Sequence, residues 1–207
     1  QVIDSGIFIN GKEVSDFEKN LSEFLSSNYV VACANGTDAL QIAMMALEFK
    51  PGDEVIVPSF TYAATAEVVG LLGLVPVLVD VDPRSFNIKV EDIEKSITPK
   101  TKAIVPVHLF GQISDMERIM EIAVKHGLYV IEDNAQALGA VYTYSDGSKK
   151  YAGTIGHIGC TSFFPTKNLG CYGDGGALFT QDKALAEKIR MVTDHGQKVK
   201  YYHDIIG

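Results

Sequence analysis

The sequence predicts an α/β fold: a three-layer α/β/α sandwich built on a mostly parallel sheet. Three observations carry this reading. Strand-like and helix-like segments alternate at least four times, with short turns between them. The strand candidates are short uninterrupted apolar runs, as expected of strands buried on both faces. A chain of 207 residues with 46% hydrophobic content is long enough to bury one large core.

The elements follow in order. A helix is predicted over 13–26, then a strand over 29–34 and a helix over 37–48. Pro51-Gly52-Asp53 turns the chain into a strand over 54–57, which a helix over 61–72 and a strand over 75–81 follow. A short helix over 90–96 leads to a strand over 102–107 and a helix over 114–125. Ser114-Asp115-Met116-Glu117 has the spacing of a capping box, with Ser114 as N-cap and Glu117 at the third helical position. A strand over 128–133 comes next, then a polar excursion over 142–153 that reads as a loop or hairpin. Strands over 159–164 and 176–180 and a helix over 183–191 complete the pattern, with no internal repeat or low-complexity linker. Gln1 opens without a methionine and residues 203–207 carry no terminating signal, so the chain is expected to be a fragment.

Composition excludes several function classes. A formal charge of −8 and only two short basic groups, Lys149-Lys150 and Lys198-Val199-Lys200, argue against a nucleic-acid partner. No stretch has the roughly 18 apolar residues that span a bilayer, and the first residues lack the basic-then-apolar layout of a signal peptide, so the expectation is a cytoplasmic protein with no membrane partner. Cys33, Cys160 and Cys171 are odd in number and lack C-x-x-C spacing, which reads as reduced packing thiols with no disulfide and no metal site. The Walker loop and the G-x-S-x-G elbow are absent. Gly153-Thr154-Ile155-Gly156-His157-Ile158-Gly159 has the wrong glycine spacing for a dinucleotide fingerprint and precedes a strand where a helix is required.

Four features fall where such an architecture binds ligands, beyond the carboxyl ends of the strands. Asn35-Gly36-Thr37-Asp38 joins a strand to a helix, so the amides of Gly36 and Thr37 suit an anion, although a plainly capped turn has the same sequence. Asp133 ends the apolar strand and needs a cation or donor nearby. Ser59-Phe60-Thr61-Tyr62 places aromatic rings at a strand end, where a planar ligand stacks. Lys167 sits among Phe163, Phe164, Pro165 and Leu169, neighbours predicted to desolvate its amine and lower its pKa toward that of a nucleophile and base. Together these are the needs of pyridoxal phosphate: an amine for a Schiff base, a carboxylate to keep the pyridine nitrogen protonated, and a helix start for the phosphate.

Six segments carry a resemblance that runs through essentially the whole chain: Asp4-Ser5-Gly6, Ala34 to Leu40, Pro58 to Thr65, Pro106 to Gly111, Glu132 to Ala137, and Ser162 to Gly176. They resemble the nucleotide-sugar aminotransferases of the DegT/DnrJ/StrS type, which have the aspartate-aminotransferase fold (pyridoxal-phosphate fold type I). The resemblance implies that residues 1–207 are the large cofactor-binding domain, without part of the N-terminus and without the small C-terminal domain. It implies that Lys167 holds the cofactor covalently, Asp133 pairs with the pyridine nitrogen, Gln136 hydrogen-bonds the phenolic oxygen and Tyr62 stacks on the ring. Gly36, Thr37 and Ser162 would hold the phosphate, and Tyr172 is a candidate substrate contact.

The implied reaction moves an amino group from glutamate to a keto group of a nucleotide-linked deoxysugar, for cell-surface polysaccharide (lipopolysaccharide) or natural-product sugars. The form of the lysine loop favours 3-keto over 4-keto sugars. The implied assembly is a homodimer with shared active sites. Some relatives carry histidine in place of the lysine and act as dehydratases; Lys167 favours transamination. A sugar dehydratase, another fold type I enzyme and a non-catalytic cofactor-binding regulator stand as alternatives.

Overall fold

The computed structural model of the chain describes residues 2–207. In chain order its elements are α1 (Val2–Ser5), α2 (Lys12–Leu25), β1 (Tyr29–Cys33), α3 (Gly36–Ala46), β2 (Glu54–Pro58), α4 (Ala64–Leu71), β3 (Val75–Val79), α5 (Val90–Ile93) and β4 (Thr101–Ile104). There follow α6 (Met116–His126), β5 (Tyr129–Asp133), β6 (Val141–Thr143), β7 (Lys149–Tyr151), β8 (Ile158–Ser162), β9 (Gly176–Thr180), α7 (Lys183–Thr193), β10 (Gln197–Val199) and β11 (Tyr202–His203). The polar excursion is the β6–β7 hairpin.

Seven strands form one sheet in the order β1-β9-β8-β5-β4-β2-β3. The β2–β3, β2–β4, β4–β5 and β5–β8 contacts are parallel, and β9 runs against both its neighbours. A parallel neighbour needs a long crossover, whereas the β8–β9 connection is a loop and reverses the chain. With β9 alone reversed, the carboxyl ends of β1, β2, β4, β5 and β8 meet on one edge of the sheet. The amino end of β9 joins them there.

Strand side chains alternate between faces, and β2 is buried on both. Val55 and Val57 join a core with Ala43 and Met44 of α3 and Val68 and Val69 of α4. Ile56 joins the opposite core with Met116, Ile119 and Ala123 of α6. On β9, Leu178 belongs to the first face, while Phe179 packs with Leu21 and Leu25 of α2 on the second. The result is two helical layers around a sheet that neither layer leaves open at its centre.

Two sequence expectations fail locally. The apolar run over 75–81 predicts a strand buried on both faces, yet β3 is the sheet edge, with Val75 44% and Leu78 61% exposed. Apolar composition marks a strand without saying whether another strand lies beyond it. The capping box does not form either. Asp115 caps α6, its Oδ1 accepting from the Arg118 amide at 3.4 Å. Ser114 is fully buried and its hydroxyl donates to the Val107 carbonyl at 3.2 Å. Glu117 accepts from the amide and hydroxyl of Ser145 in the hairpin instead.

The cysteines are free. Burial pushes the Cys33 thiol up to about 12 and raises that of Cys160 well above its ordinary value. Among the described residues, no helix is long and apolar enough to cross a membrane, and no group of His, Cys, Asp and Glu could hold a metal ion.

Candidate active site

A cleft of about 540 Å³ opens where the strand ends converge. Its walls come from five separate connections: 35–40 after β1, 61–64 after β2, 107–109 after β4, 133–136 at the end of β5, and 162–174 between β8 and β9. Lys167, Asp133, Gln136, Tyr62, Gly36, Thr37 and Ser162 all line it. Tyr172 does not; it is fully exposed.

The first wall is the start of α3. Asn35, and neither Thr37 nor Asp38, is the N-cap: its Oδ1 accepts from the Asp38 amide at 2.8 Å, and its carbonyl takes the Ala39 amide at 3.1 Å. The amides of Gly36 and Thr37 have no acceptor within the helix and remain for a ligand. A Cβ at Gly36 would stand 2.7 Å from the Ser162 Cβ, and one at Gly176 would stand 2.4 Å from the Asn35 carbonyl oxygen. Only glycine at both positions lets α3 begin against the ends of β8 and β9. The same contact sets the Ser162 hydroxyl beside the two amides. Its oxygen accepts from the Phe164 amide at 3.2 Å, so its proton is left to donate. Two amides and a hydroxyl at a helix start are a donor set suited to an anion.

The floor is the end of β5. Asp133 is only 6% exposed; burial raises its pKa, and hydrogen bonds from the Thr65 hydroxyl and the Ala135 amide, with the Lys167 charge, oppose that rise. Gln136 is oriented by its partner: the Phe110 amide donates to Oε1 at 2.7 Å, which leaves the Nε2 group as a donor. Tyr62 is 73% exposed on the β2–α4 turn, its ring bordering the cleft. The predicted helix over 61–72 thus begins three residues late, at Ala64, freeing this turn.

The lysine loop differs from its expectation. Phe163, Phe164, Pro165 and Leu169 do not wrap the amine. The Phe163 side chain is buried toward α2, edge-on to Phe17 with ring centroids 5.2 Å apart, while Phe164 and Leu169 are 49% and 46% exposed. Ser162 turns to the cleft, so strand alternation sends the next side chain to the other face. Lys167 is half-buried. The loop closes on itself through Phe163 N–H to Gly175 O at 2.7 Å and Cys171 N–H to Phe163 O at 2.8 Å.

Sequence reasoning passed over one cluster entirely. Glu132, next to Asp133 but on the opposite face of the sheet, is fully buried. It accepts from the amides of Gly153, Ile155 and Gly156 at 2.9, 2.7 and 2.5 Å, and from His108 Nε2 at 2.8 Å. The Ser114 amide donates to His108 Nδ1 at 3.3 Å, which leaves the ring proton on Nε2 for Glu132. Burial pushes the Glu132 carboxyl up, and the His108 and backbone hydrogen bonds outweigh it, so the net shift is downward. The glycine spacing that fails as a dinucleotide motif is a cradle for this carboxylate.

The cleft therefore brings together an anion site, a buried carboxylate, an oriented amide, an exposed aromatic ring and an amine. Similar proteins are known. The chain is 52% identical over 207 residues to the UDP-2-acetamido-2-deoxy-3-oxo-D-glucuronate aminotransferase of Pseudomonas aeruginosa, covering 100% of this chain and 56% of that protein. It is 48% identical over 207 residues to the UDP-N-acetyl-3-dehydro-alpha-D-glucosamine 3-aminotransferase of Acidithiobacillus ferrooxidans, covering 100% and 55%. The crystal structure of NtdA from Bacillus subtilis with bound cofactor PMP matches at a TM-score of 0.89 and 41% identity, over 99% of this chain and 45% of that one. The chain spans about half the length of the curated relatives it matches. The profile of the DegT/DnrJ/EryC1/StrS aminotransferase family matches residues 1–207, and the chain belongs to that family.

Proposed function

We propose that this chain is the large domain of a pyridoxal-phosphate-dependent aminotransferase that moves an amino group from glutamate to a keto group of a nucleotide-linked sugar, a 3-keto sugar in preference to a 4-keto one. The observation that carries the reading is the convergence of Lys167, Asp133 and the α3 start on one cleft. Two relatives at 52% and 48% identity, both named for 3-oxo or 3-dehydro sugars, support the choice of substrate.

The residues fit the cofactor. The approach of Gly36 to Ser162, too close for any Cβ, sets a hydroxyl against the start of α3 at one end, and a buried carboxylate stands ready for a ring nitrogen at the other. When bound, pyridoxal phosphate supplies an electron sink for the carbanion formed at the α-carbon of an amino acid. The amides of Gly36 and Thr37 and the Ser162 hydroxyl take the phosphate. Asp133 holds a proton on the ring nitrogen. Gln136 Nε2 would donate to the phenolic oxygen, and Tyr62 would stack on the ring. Lys167 would anchor the cofactor covalently. Its Nζ, when free, would take the proton from the glutamate α-carbon and deliver one to the sugar carbon.

In this reading the full protein works in the cytoplasm as a homodimer, completes its sites across subunits, and serves the synthesis of surface polysaccharide such as lipopolysaccharide or of natural-product sugars. Tyr172, exposed on the lysine loop, is free to meet the sugar or a partner subunit. The test is the absorbance of full-length protein loaded with cofactor. A visible band that bleaches with glutamate, coupled to amination of a 3-keto nucleotide sugar, is the expected result. Lys167→Ala should lower turnover by at least about a thousandfold, the scale of losing a nucleophile that is also the base. Retained 2-oxoglutarate formation in that variant removes Lys167 from its role, and preference for 4-keto sugars overturns the substrate choice.

A further inference from the structure

Asp133 is the group on which this site depends for a protonated ring nitrogen, and something must fix its orientation. Rotation about the terminal bond of an aspartate is soft and roughly two-fold, so a carboxylate without partners presents its oxygens in no fixed plane. In this cleft each oxygen has a single donor. The Ala135 amide reaches Oδ1 at 3.2 Å, and the Thr65 hydroxyl reaches Oδ2 at 2.9 Å.

The Thr65 contact has only one possible direction. An ionised carboxylate only accepts, so the single hydroxyl proton of Thr65 goes to Asp133. Its oxygen then accepts in turn, and the Thr61 hydroxyl lies 3.4 Å away as the donor. Thr65 is fully buried in the first turn of α4, whose backbone is tied to the Tyr62 carbonyl through the Thr65 amide at 3.3 Å. One turn of chain therefore carries both the ring that borders the cleft and the hydroxyl that reaches its floor. Each Asp133 oxygen keeps a lone pair that these donors do not use. The other titratable groups acting on the carboxylate are His108 and Lys167.

We propose that Thr65 is a positioning residue: its hydroxyl fixes the plane of the Asp133 carboxylate, so that an oxygen is presented to a protonated ring nitrogen. The proposal rests on the pyridoxal phosphate reading above, and its test separates the two. Full-length wild type, Thr65→Val and Thr65→Ser are titrated with pyridoxal phosphate and with its 1-deaza analogue, whose ring has carbon in place of nitrogen. Thr65→Val should weaken pyridoxal phosphate binding about tenfold, the scale of one lost hydrogen bond to a charged group, and leave the analogue within about twofold. Thr65→Ser, which keeps the hydroxyl, should restore tight binding of pyridoxal phosphate.

Equal weakening for both ligands, or none for either, overturns the role of Thr65, because a merely structural threonine cannot distinguish the two rings. If Thr65→Val fails to fold, Thr65→Ala, which introduces no new bulk, carries the same comparison. Wild type that binds neither ligand overturns the cofactor reading and this proposal together. Wild type that binds pyridoxal phosphate beside an unaffected Thr65→Val removes the proposal alone.

Discussion

Glu132 and Asp133 are adjacent on β5, both carboxylates and both buried, and the fold treats them in opposite ways. Glu132 faces a closed pocket that gives it three amides and an imidazole N–H. Asp133 faces the cleft and has one donor on each oxygen. The first is held below its ordinary pKa and the second above it, in each case with burial as the largest upward influence. The contrast separates a carboxylate that organises the protein from one that keeps unused lone pairs beside the cleft. Satisfied buried charges support the fold, and a strand that ends at a cleft can carry both kinds on its two faces.

The largest test of this contrast is a pair of isosteric changes. Glu132→Gln turns one acceptor oxygen into a donor among four donors, and should cost about 3–5 kcal/mol of unfolding free energy, the range for breaking a buried charge network. Asp133→Asn should change stability by less than about 1 kcal/mol, because the Thr65 hydroxyl can turn to follow the new amide, yet abolish turnover of the full-length enzyme. Urea denaturation of both variants checks the first half, and an aminotransferase assay the second. Equal destabilisation by the two changes would dissolve the comparison.

A smaller effect sharpens it by sign. Glu132 has a lowered folded pKa, so its contribution to stability is present above its ordinary value of 4.5 and is lost as pH falls through the folded value. Asp133 has a raised folded pKa, so its contribution is complete below its ordinary value of 3.8 and is lost as pH rises through the folded value. In cofactor-free protein the deficit of Glu132→Gln against wild type should narrow on acidification, whereas Asp133→Asn should gain on wild type as pH rises. Denaturation midpoints between about pH 3 and pH 7 read both trends. The smallest prediction concerns the cap of α6: Asp115→Ala should cost about 1 kcal/mol, with no change in cofactor affinity, as expected for a cap that does not line the cleft.

The order of elements was legible because most of these strands are apolar on both faces, which forces a sheet covered by helices. β9 and β5 were readable nearly to the residue, since Gly176 and Asp133 mark where apolar runs meet the cleft. Ser114 misled because Asp115 stands beside it with equal capping chemistry, and only tertiary packing shows that the serine is needed inside. Gly36, Thr37, Tyr62, Asp133 and Lys167 could be proposed from local motifs, Gln136 and Ser162 from the family resemblance. Their supports could not: Thr65 is 68 residues from Asp133, His108 is 24 from Glu132, and no spacing announces either pair. The environment of Lys167 was misread for a related reason. A run of aromatic neighbours suggests a wrapped amine, but the strand pleat sends Phe163 to Phe17 on the far face.

The reversed strand has a consequence for how the protein is made. β1, whose carboxyl end leads into the anion site, pairs in the sheet with β9 alone, so Tyr29 waits for Thr180. A nascent chain emerging from the ribosome can lay β2, β3, β4 and β5 side by side as they appear, each with its helix. The segment 29–46, made before these strands, gains its sheet neighbour β9 after the lysine loop has been synthesised and turned back. Closing so long a loop is slow and leaves an apolar strand without its partner meanwhile. The α3 wall of the cleft therefore gains its support in the sheet at the step that also delivers Lys167.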